Sequence, residues 1–217
     1  MIKMSGECSR ENTGVNQIAP FSEVSKFHGH VCPGLTIGYM AARAGMEELS
    51  VDRDIDEELV TIVENDGCGV DAVQVVTGCT IGKGNLIYRD YGKQAFTFIC
   101  RDSGKAVRVV LKSDFNIEDL DPELSELRPR VISGAATDSE TLDFRTRINC
   151  ISEYIREMPA EEMFDIKHVN VEIPRKARIF NSVKCSKCGE MFAESRARME
   201  NGEIVCISCY EEYTRGW

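Results

Sequence analysis

No stretch of this sequence approaches the length of a membrane span. Its opening, Met1-Ile2-Lys3-Met4-Ser5, lacks the apolar run of a secretory signal. Both absences make a cytoplasmic location the expectation. The region before Pro174 has no Cys-x2-Cys of thioredoxin type, which argues against a dedicated dithiol oxidoreductase. None of its cysteine spacings matches a ferredoxin run, which argues against an iron–sulfur cluster. The glycine-rich stretch 78–84, with Lys83, misses the GxxxxGK[ST] spacing because Gly84 intervenes and Asn85 is no hydroxyl ligand, so a phosphate loop is not expected. There is no internal repeat and no low-complexity tract. Basic residues are outnumbered, with a net charge of -10, and a surface of that sign repels nucleic acid.

What the chain does have is cysteine, ten in 217 residues. In a cytoplasmic setting that number points to metal or redox chemistry and not to disulfides. Four of them form two pairs, Cys185/Cys188 and Cys206/Cys209, separated by seventeen residues. In each pair two intervening residues let a tight turn aim both sulfurs at one point. Together they read as a closed tetrahedral zinc site of structural kind. The metal would hold together a segment too short to bury its own core. We place the domain boundary near Pro174, with a core domain over 1–173 and a finger over 174–217. The finger segment carries eight Lys/Arg against six Glu, leaving +2, while the remainder carries -12. Only Arg196 and Arg198 lie between the thiol pairs as possible DNA contacts, too few for a nucleic-acid reader. Asn201-Gly202 predicts a hairpin turn, and residues 206–213 predict a short helix.

Patterning over the first domain predicts helices at 21–27 and from Cys32-Pro33 to Leu49, a buried strand at 59–63, and a helix over 70–76. It then predicts a hairpin of strands 95–101 and 106–112 around Asp102-Ser103-Gly104-Lys105. Residues 113–137, with Pro122 and Pro129, read as a looser acidic stretch. A long amphipathic helix starts at Asp138-Ser139-Glu140 and ends before Pro159, and a strand follows over 166–173. Strands and helices mixed without strict alternation indicate an α+β fold, a mixed β-sheet flanked by helices and followed by a small zinc finger.

Two motifs in this domain concentrate reactive side chains. Phe-His-Gly-His-Val-Cys-Pro-Gly at 27–34 places two of the three histidines and a cysteine within five residues. If the segment is extended, His28, His30 and Cys32 share one side. A lone histidine usually caps a helix or bonds within the core. This trio instead suits zinc or another borderline transition metal. Cys32 sits where a helix starts, and the helix dipole there favours thiolate. The second motif runs from Glu64 to Gln74 and on to Asn85. Glycines flank Cys68, which permits close approach of backbone to a ligand. Asp71 and Gln74 lie on one helical face. With Cys79 and Lys83 they suggest a polar cleft. Cys100 and Cys150 read as small buried hydrophobes, and Cys8 is open to either reading.

Phe-His-Gly-His-x-Cys-Pro-Gly-Leu at 27–35, Gly-Cys-Gly-Val-Asp-Ala-Val-Gln at 67–74 and Thr-Gly-Cys-Thr-x-Gly-Lys-Gly-Asn at 77–85 together resemble the FmdE family, named for a component of formylmethanofuran dehydrogenase. The finger resembles the treble-clef type of the DksA/TraR proteins. The resemblance implies a cleft lined by the His/Cys motifs, often a homodimer, and association with molybdenum or tungsten formylmethanofuran dehydrogenase. No pterin or iron–sulfur signature is present, so this polypeptide is not expected to oxidise formylmethanofuran alone. Two functional readings follow. In one, zinc or another transition metal held by some of His28, His30, Cys32, Cys68 and Cys79 activates water or a small substrate. Cys68 contributes to that chemistry, Asp71 serves as base or orienting partner, and Lys83 steadies negative charge. In the other, the cleft stores, delivers or senses a metal, and the finger docks a partner redox enzyme. A reversible disulfide among Cys32, Cys68 and Cys79 is a simpler redox alternative.

Overall fold

A computed structural model describes residues 18–216; Cys8 lies outside the described residues. The chain divides into two compact units after Lys176.

The first unit runs α1 (Phe21–His28), α2 (Pro33–Leu49), β1 (Leu59–Val63), α3 (Gly69–Thr77), β2 (Leu86–Tyr88), β3 (Ala95–Cys100), β4 (Ala106–Leu111), α4 (Ile117–Leu120), α5 (Glu123–Ile132), α6 (Asp138–Glu157), α7 (Ala160–Met163) and β5 (Phe164–His168). The sheet order is β2-β1-β3-β4-β5, with β1/β2 parallel and the other pairs antiparallel. It is therefore the mixed sheet with flanking helices that the sequence indicates. Alternation along the strands sorts side chains between its faces. Leu59, Val63, Phe96, Phe98, Val107 and Val109 join the helices in the main core. Val60, Ile62, Ile99 and Ala106 form a second cluster with Ile87, Val169 and Val171.

The central element is α2, most of whose residues are buried. A helix apolar all round must be enclosed. It can be enclosed this tightly because its small residues face its neighbours. A Cβ on Gly38 would lie 2.3 Å from the Cα and the carbonyl oxygen of Gly69 in α3, and one on Gly45 would lie 2.1 Å from the Phe98 ring. The hydroxyls of Thr36 and Ser152, 2.6 Å apart, tie α2 to α6. The start of α6 is a full capping box: Thr137 Oγ1 accepts from the Glu140 N–H and Glu140 Oε2 accepts from the Thr137 N–H.

Three local readings change. Residues 123–132 form α5 despite Pro122 and Pro129. Pro122 sits at its N-cap, and fully buried Leu124 anchors the helix, so packing outweighs the hydrogen bond lost at Pro129. The last strand begins at Phe164 instead of Ile166 and ends at His168, with one further backbone bond from the Val169 N–H to the Ala106 carbonyl. The apolar alternation continuing through Val169 and Val171 serves to cover the second cluster. The three-residue strand β2 was too short to be seen in the pattern.

The second unit contains two hairpins, β6 (Ser182–Lys184) with β7 (Met191–Ala193) and β8 (Arg198–Glu200) with β9 (Glu203–Val205). The second turns at Asn201-Gly202, both at positive φ. The helix expected over 206–213 does not form. The Cys206 carbonyl accepts from the N–H groups of Cys209 and Tyr210, closing a turn, and no helix follows among the described residues. The finger thus has the knuckles and hairpins that place its thiols without a helical third element. Among the described residues no helix is long and apolar enough to cross a membrane.

Candidate metal centre

Contact between Gly38 and Gly69 brings the N-termini of α2 and α3 together, with a cysteine at each N-cap position: Cys32, whose sulfur accepts from the Leu35 N–H, and Cys68, which makes no side-chain capping bond. Gly69 therefore serves helix packing, where the sequence suggested room for a ligand. The C-terminus of α1 delivers His28. Gly29 then adopts φ 92, with nothing within 4 Å of where a Cβ would be, so the residue is needed for its backbone angle and not for space. This left-handed turn folds His30 and Cys32 back towards His28. The trio converges through a helix end and a turn, not through the extended segment the spacing suggested. One donor atom from each of His28, His30 and Cys32 lies within 4.8 Å of the others. The two imidazoles lie with ring centroids 4.5 Å apart.

His28 Nδ1 donates to Asp71 Oδ2 at 2.7 Å, leaving Nε2 facing Cys32 Sγ at 3.9 Å. Gln74 Nε2 donates to the other Asp71 oxygen at 3.3 Å, confirming the shared helical face. Asn65 accepts from the Gly67 N–H and donates to the Lys93 carbonyl, which fixes the loop presenting Cys68.

Cys32 accepts from the Leu35 N–H as an N-cap should. Even so, its thiol is pushed up to about 11, chiefly by burial and further by the adjoining Cys68 thiol. The expected helix-end activation is overridden because half-burial beside a second sulfur outweighs two backbone N–H groups. These donors fit a metal. Bonds of about 2.0 Å to nitrogen and 2.3 Å to sulfur span tetrahedral donors roughly 3.5 Å apart, close to the His28–Cys32 spacing. The Asp71–His28 contact is the outer partner that metal-bound imidazoles ordinarily have.

Two residues assigned to the cleft are not in it. Cys79 follows the far end of α3, beyond nine helical residues, or about 13 Å of helix. It is fully buried, accepting from Thr61 Oγ1 and donating to the Leu59 carbonyl, and burial raises its thiol pKa. It can neither complete the His/Cys group nor pair with Cys68 in a disulfide. Lys83 lies at the same far end, where its ammonium meets the buried Asp54 carboxylate, which also accepts from Asn85 at 2.7 Å. Its charge is committed to that carboxylate, so it cannot steady charge at the cleft. Cys100 is half-buried and Cys150 is exposed, so Cys150 is no core residue.

Two cavities meet the His/Cys group. One, of about 430 Å³, is lined by His28, Cys68, Asp71 and Gln74 together with Tyr88 and Ile81. The other, of about 760 Å³, is lined by His30 and Cys32 on one side and by residues of α5 and α6 on the other. The second went unseen in the sequence because its far wall includes α5. The one available signal was the spacing of Phe144, Arg145, Ile148 and Asn149 on one side of α6.

In the second unit, Sγ atoms of Cys185, Cys188, Cys206 and Cys209 lie within 4.8 Å of one another. The Cys185 thiol is lowered to about 6 by the N–H groups of Cys188 and Cys206, whereas that of Cys209 is pushed up to about 12 by the Cys206 and Cys188 thiols beside it. Such opposed shifts are expected where four sulfurs converge on one point without a cation. The donor set is all thiol and closed, as structural zinc requires.

The family model described as FmdE, molybdenum formylmethanofuran dehydrogenase operon, matches residues 27–165. The chain belongs to the FmdE family. A model described as prokaryotic dksA/traR C4-type zinc finger matches residues 178–215, spanning all four finger cysteines. A crystal structure of a tungsten formylmethanofuran dehydrogenase FmdE-like protein from Syntrophus aciditrophicus is similar to this FmdE member. Its TM-score is 0.57 and its identity 25%, covering 87% of this chain and 88% of that one. A protein of Archaeoglobus fulgidus named "Probable S-adenosyl-L-methionine-binding protein" is 34% identical over 202 residues, 87% of this chain and 51% of the relative. The chain thus spans about half the length of that curated relative.

Proposed function

We propose that the first unit is a metal-dependent site for a small molecule, in the one-carbon redox setting that its family's description suggests. His28, His30, Cys32 and Cys68 hold zinc or another transition metal. The observation that carries this reading is the Asp71–His28 contact, because a carboxylate on one imidazole nitrogen directs the other, with its lone pair, into a cluster of further donors. A metal bound there supplies Lewis acidity to a substrate atom or water. The chain's own residues do the positioning. Asp71 sets the tautomer and tilt of His28, Gln74 holds Asp71, and the half-burial of Cys32 limits water. Cys68 is the second thiol of the pair. With Asp71 engaged by His28, the role of this carboxylate is that of an orienting partner and not a base.

Asp71→Asn is therefore expected to weaken metal uptake at this site about 10- to 100-fold, while uptake at the finger, measured in the same chelator competition, is unchanged. Uptake should also strengthen as pH rises from about 6 to 8, because the metal must displace the proton of a thiol held near 11. Equal uptake by the Asn variant would overturn the reading.

The closed four-cysteine finger favours a second reading, an accessory protein that stores, delivers or senses a metal. In that reading the finger docks components of molybdenum or tungsten formylmethanofuran dehydrogenase or another redox enzyme. Net transfer of the first-unit metal to a metal-free partner enzyme, blocked by finger disruption, would select it.

A further inference from the structure

The two cavities that meet the His/Cys group are opposite in charge. The smaller one has Asp66 and Asp71 in its wall and, among the described residues, no basic residue other than His28. The larger one has Arg128 and Arg145 and, among the described residues, no carboxylate, in a chain whose net charge is -10. Arg128 is engaged by Glu118 at 2.9 Å. No hydrogen bond, ion pair or ring contact engages Arg145 among the described residues, although α6 is otherwise rich in ion pairs, as the three carboxylates around Arg147 show. Arg145 stands one helical turn from Asn149, so a guanidinium fork and an amide share the mouth. The lining also carries an apolar set, Val31, Ile117, Val131, Phe144 and Ile148. The volume of about 760 Å³ is within the range of small-molecule pockets, roughly 300–1,000 Å³.

We propose that this cavity is the substrate pocket and that it selects organic anions. The ligand class is a carboxylate with an apolar, aromatic-sized body, its anionic end on Arg145 and Asn149 and its far end reaching His30 and Cys32. The proposal deepens the metal-site reading in one respect, that the far end meets the bound metal; anion selection itself needs only Arg145 and the apolar wall. A carboxylate held against this apolar lining without a counter-ion would be poorly solvated. The free guanidinium removes that penalty and adds a charge-assisted hydrogen bond. An uncharged isostere forgoes both.

The test compares 4-phenylbutyrate with 4-phenylbutyramide by calorimetric titration of the full chain loaded with zinc. The acid is expected to bind about tenfold tighter than the amide, the difference one charge-assisted bond makes. Arg145→Gln, an exposed change that leaves the core untouched, should bring the acid to the level of the amide while the amide is unaffected. Ile148→Ala should weaken both ligands together. The same pair is then run on the His28→Ala chain, whose metal content is measured separately. Persistence of the acid preference there supports the pocket even if the first unit holds no metal. Equal binding of acid and amide to the native chain would overturn the proposal. So would a preference that survives Arg145→Gln, or one that vanishes only when metal is removed, since the anion would then sit on the metal.

Discussion

Gly38→Ala is expected to lower the melting temperature of the first unit by about 6–12 °C, corresponding to roughly 3 kcal/mol. The added methyl would lie 2.3 Å from Gly69 backbone atoms at the start of α3, and backbone has no rotamer into which to retreat. Relief requires α2 and α3 to move apart by about 1 Å or more, the gap between that approach and ordinary van der Waals contact. Cys32 and Cys68 sit at the N-cap positions of these two helices, so the separation passes directly to the His/Cys group. The same variant should therefore lose metal from the first unit. Gly34→Ala is the control. It lies one turn away on the same helix, and its Cβ would meet only Cys68 Cβ at 3.6 Å, an ordinary contact. Alanine there should be neutral or slightly stabilising, since it also lowers the entropy cost of forming the helix. Calorimetry of both variants decides the matter. Equal melting temperatures for Gly38→Ala and the native chain would mean that the helices are not packed as described.

The second large effect concerns the finger. Its apolar interior is little more than Cys185, Val205 and Cys206 with a few half-buried neighbours. That much burial cannot offset the ordering of some forty residues, so the metal and the fold stand or fall together. A Cys185→Ser/Cys206→Ser chain, or the native chain treated with a strong chelator, should lose structure throughout the second unit. In limited trypsin digestion, cleavage should move to Lys184, Arg196 and Arg198, while the first unit survives intact. A second unit that keeps its resistance would show that zinc is not what holds it.

The parts of this molecule legible in its sequence are those where local pattern and final packing agree. The run of small and apolar residues in α2, the alternation in β3 and β4 and the Asp138-Ser139-Glu140 start of α6 each satisfy one rule at two levels, and all of these elements are where the pattern predicts. The finger cysteines were equally legible, because thiol spacing encodes geometry over a few bonds. Where the pattern failed, a tertiary contact decided. Leu124 overrides the prolines of α5, and the apolar residues after His168 cover a sheet face instead of extending a strand. Within the site, His28, His30, Cys32, Cys68, Asp71 and Gln74 come together as read. Cys79 and Lys83 were assigned to the cleft because they are close in sequence to Cys68, yet a helix carries them to its other end. Nothing in the sequence alone could reveal Gly38 against Gly69, or the cavity between α2, α5 and α6, since both arise from surfaces that meet only in three dimensions.

The central claim is that the first unit holds a metal of its own. Elemental analysis of the intact chain and of the Cys185→Ser/Cys206→Ser chain, both dialysed against a weak chelator, tests it most directly. The prediction is two metals per intact chain and one in the variant, the remaining one lost on adding His28→Ala and Cys32→Ser. One metal in the intact chain and none in the variant would place the only metal in the finger and contradict the account.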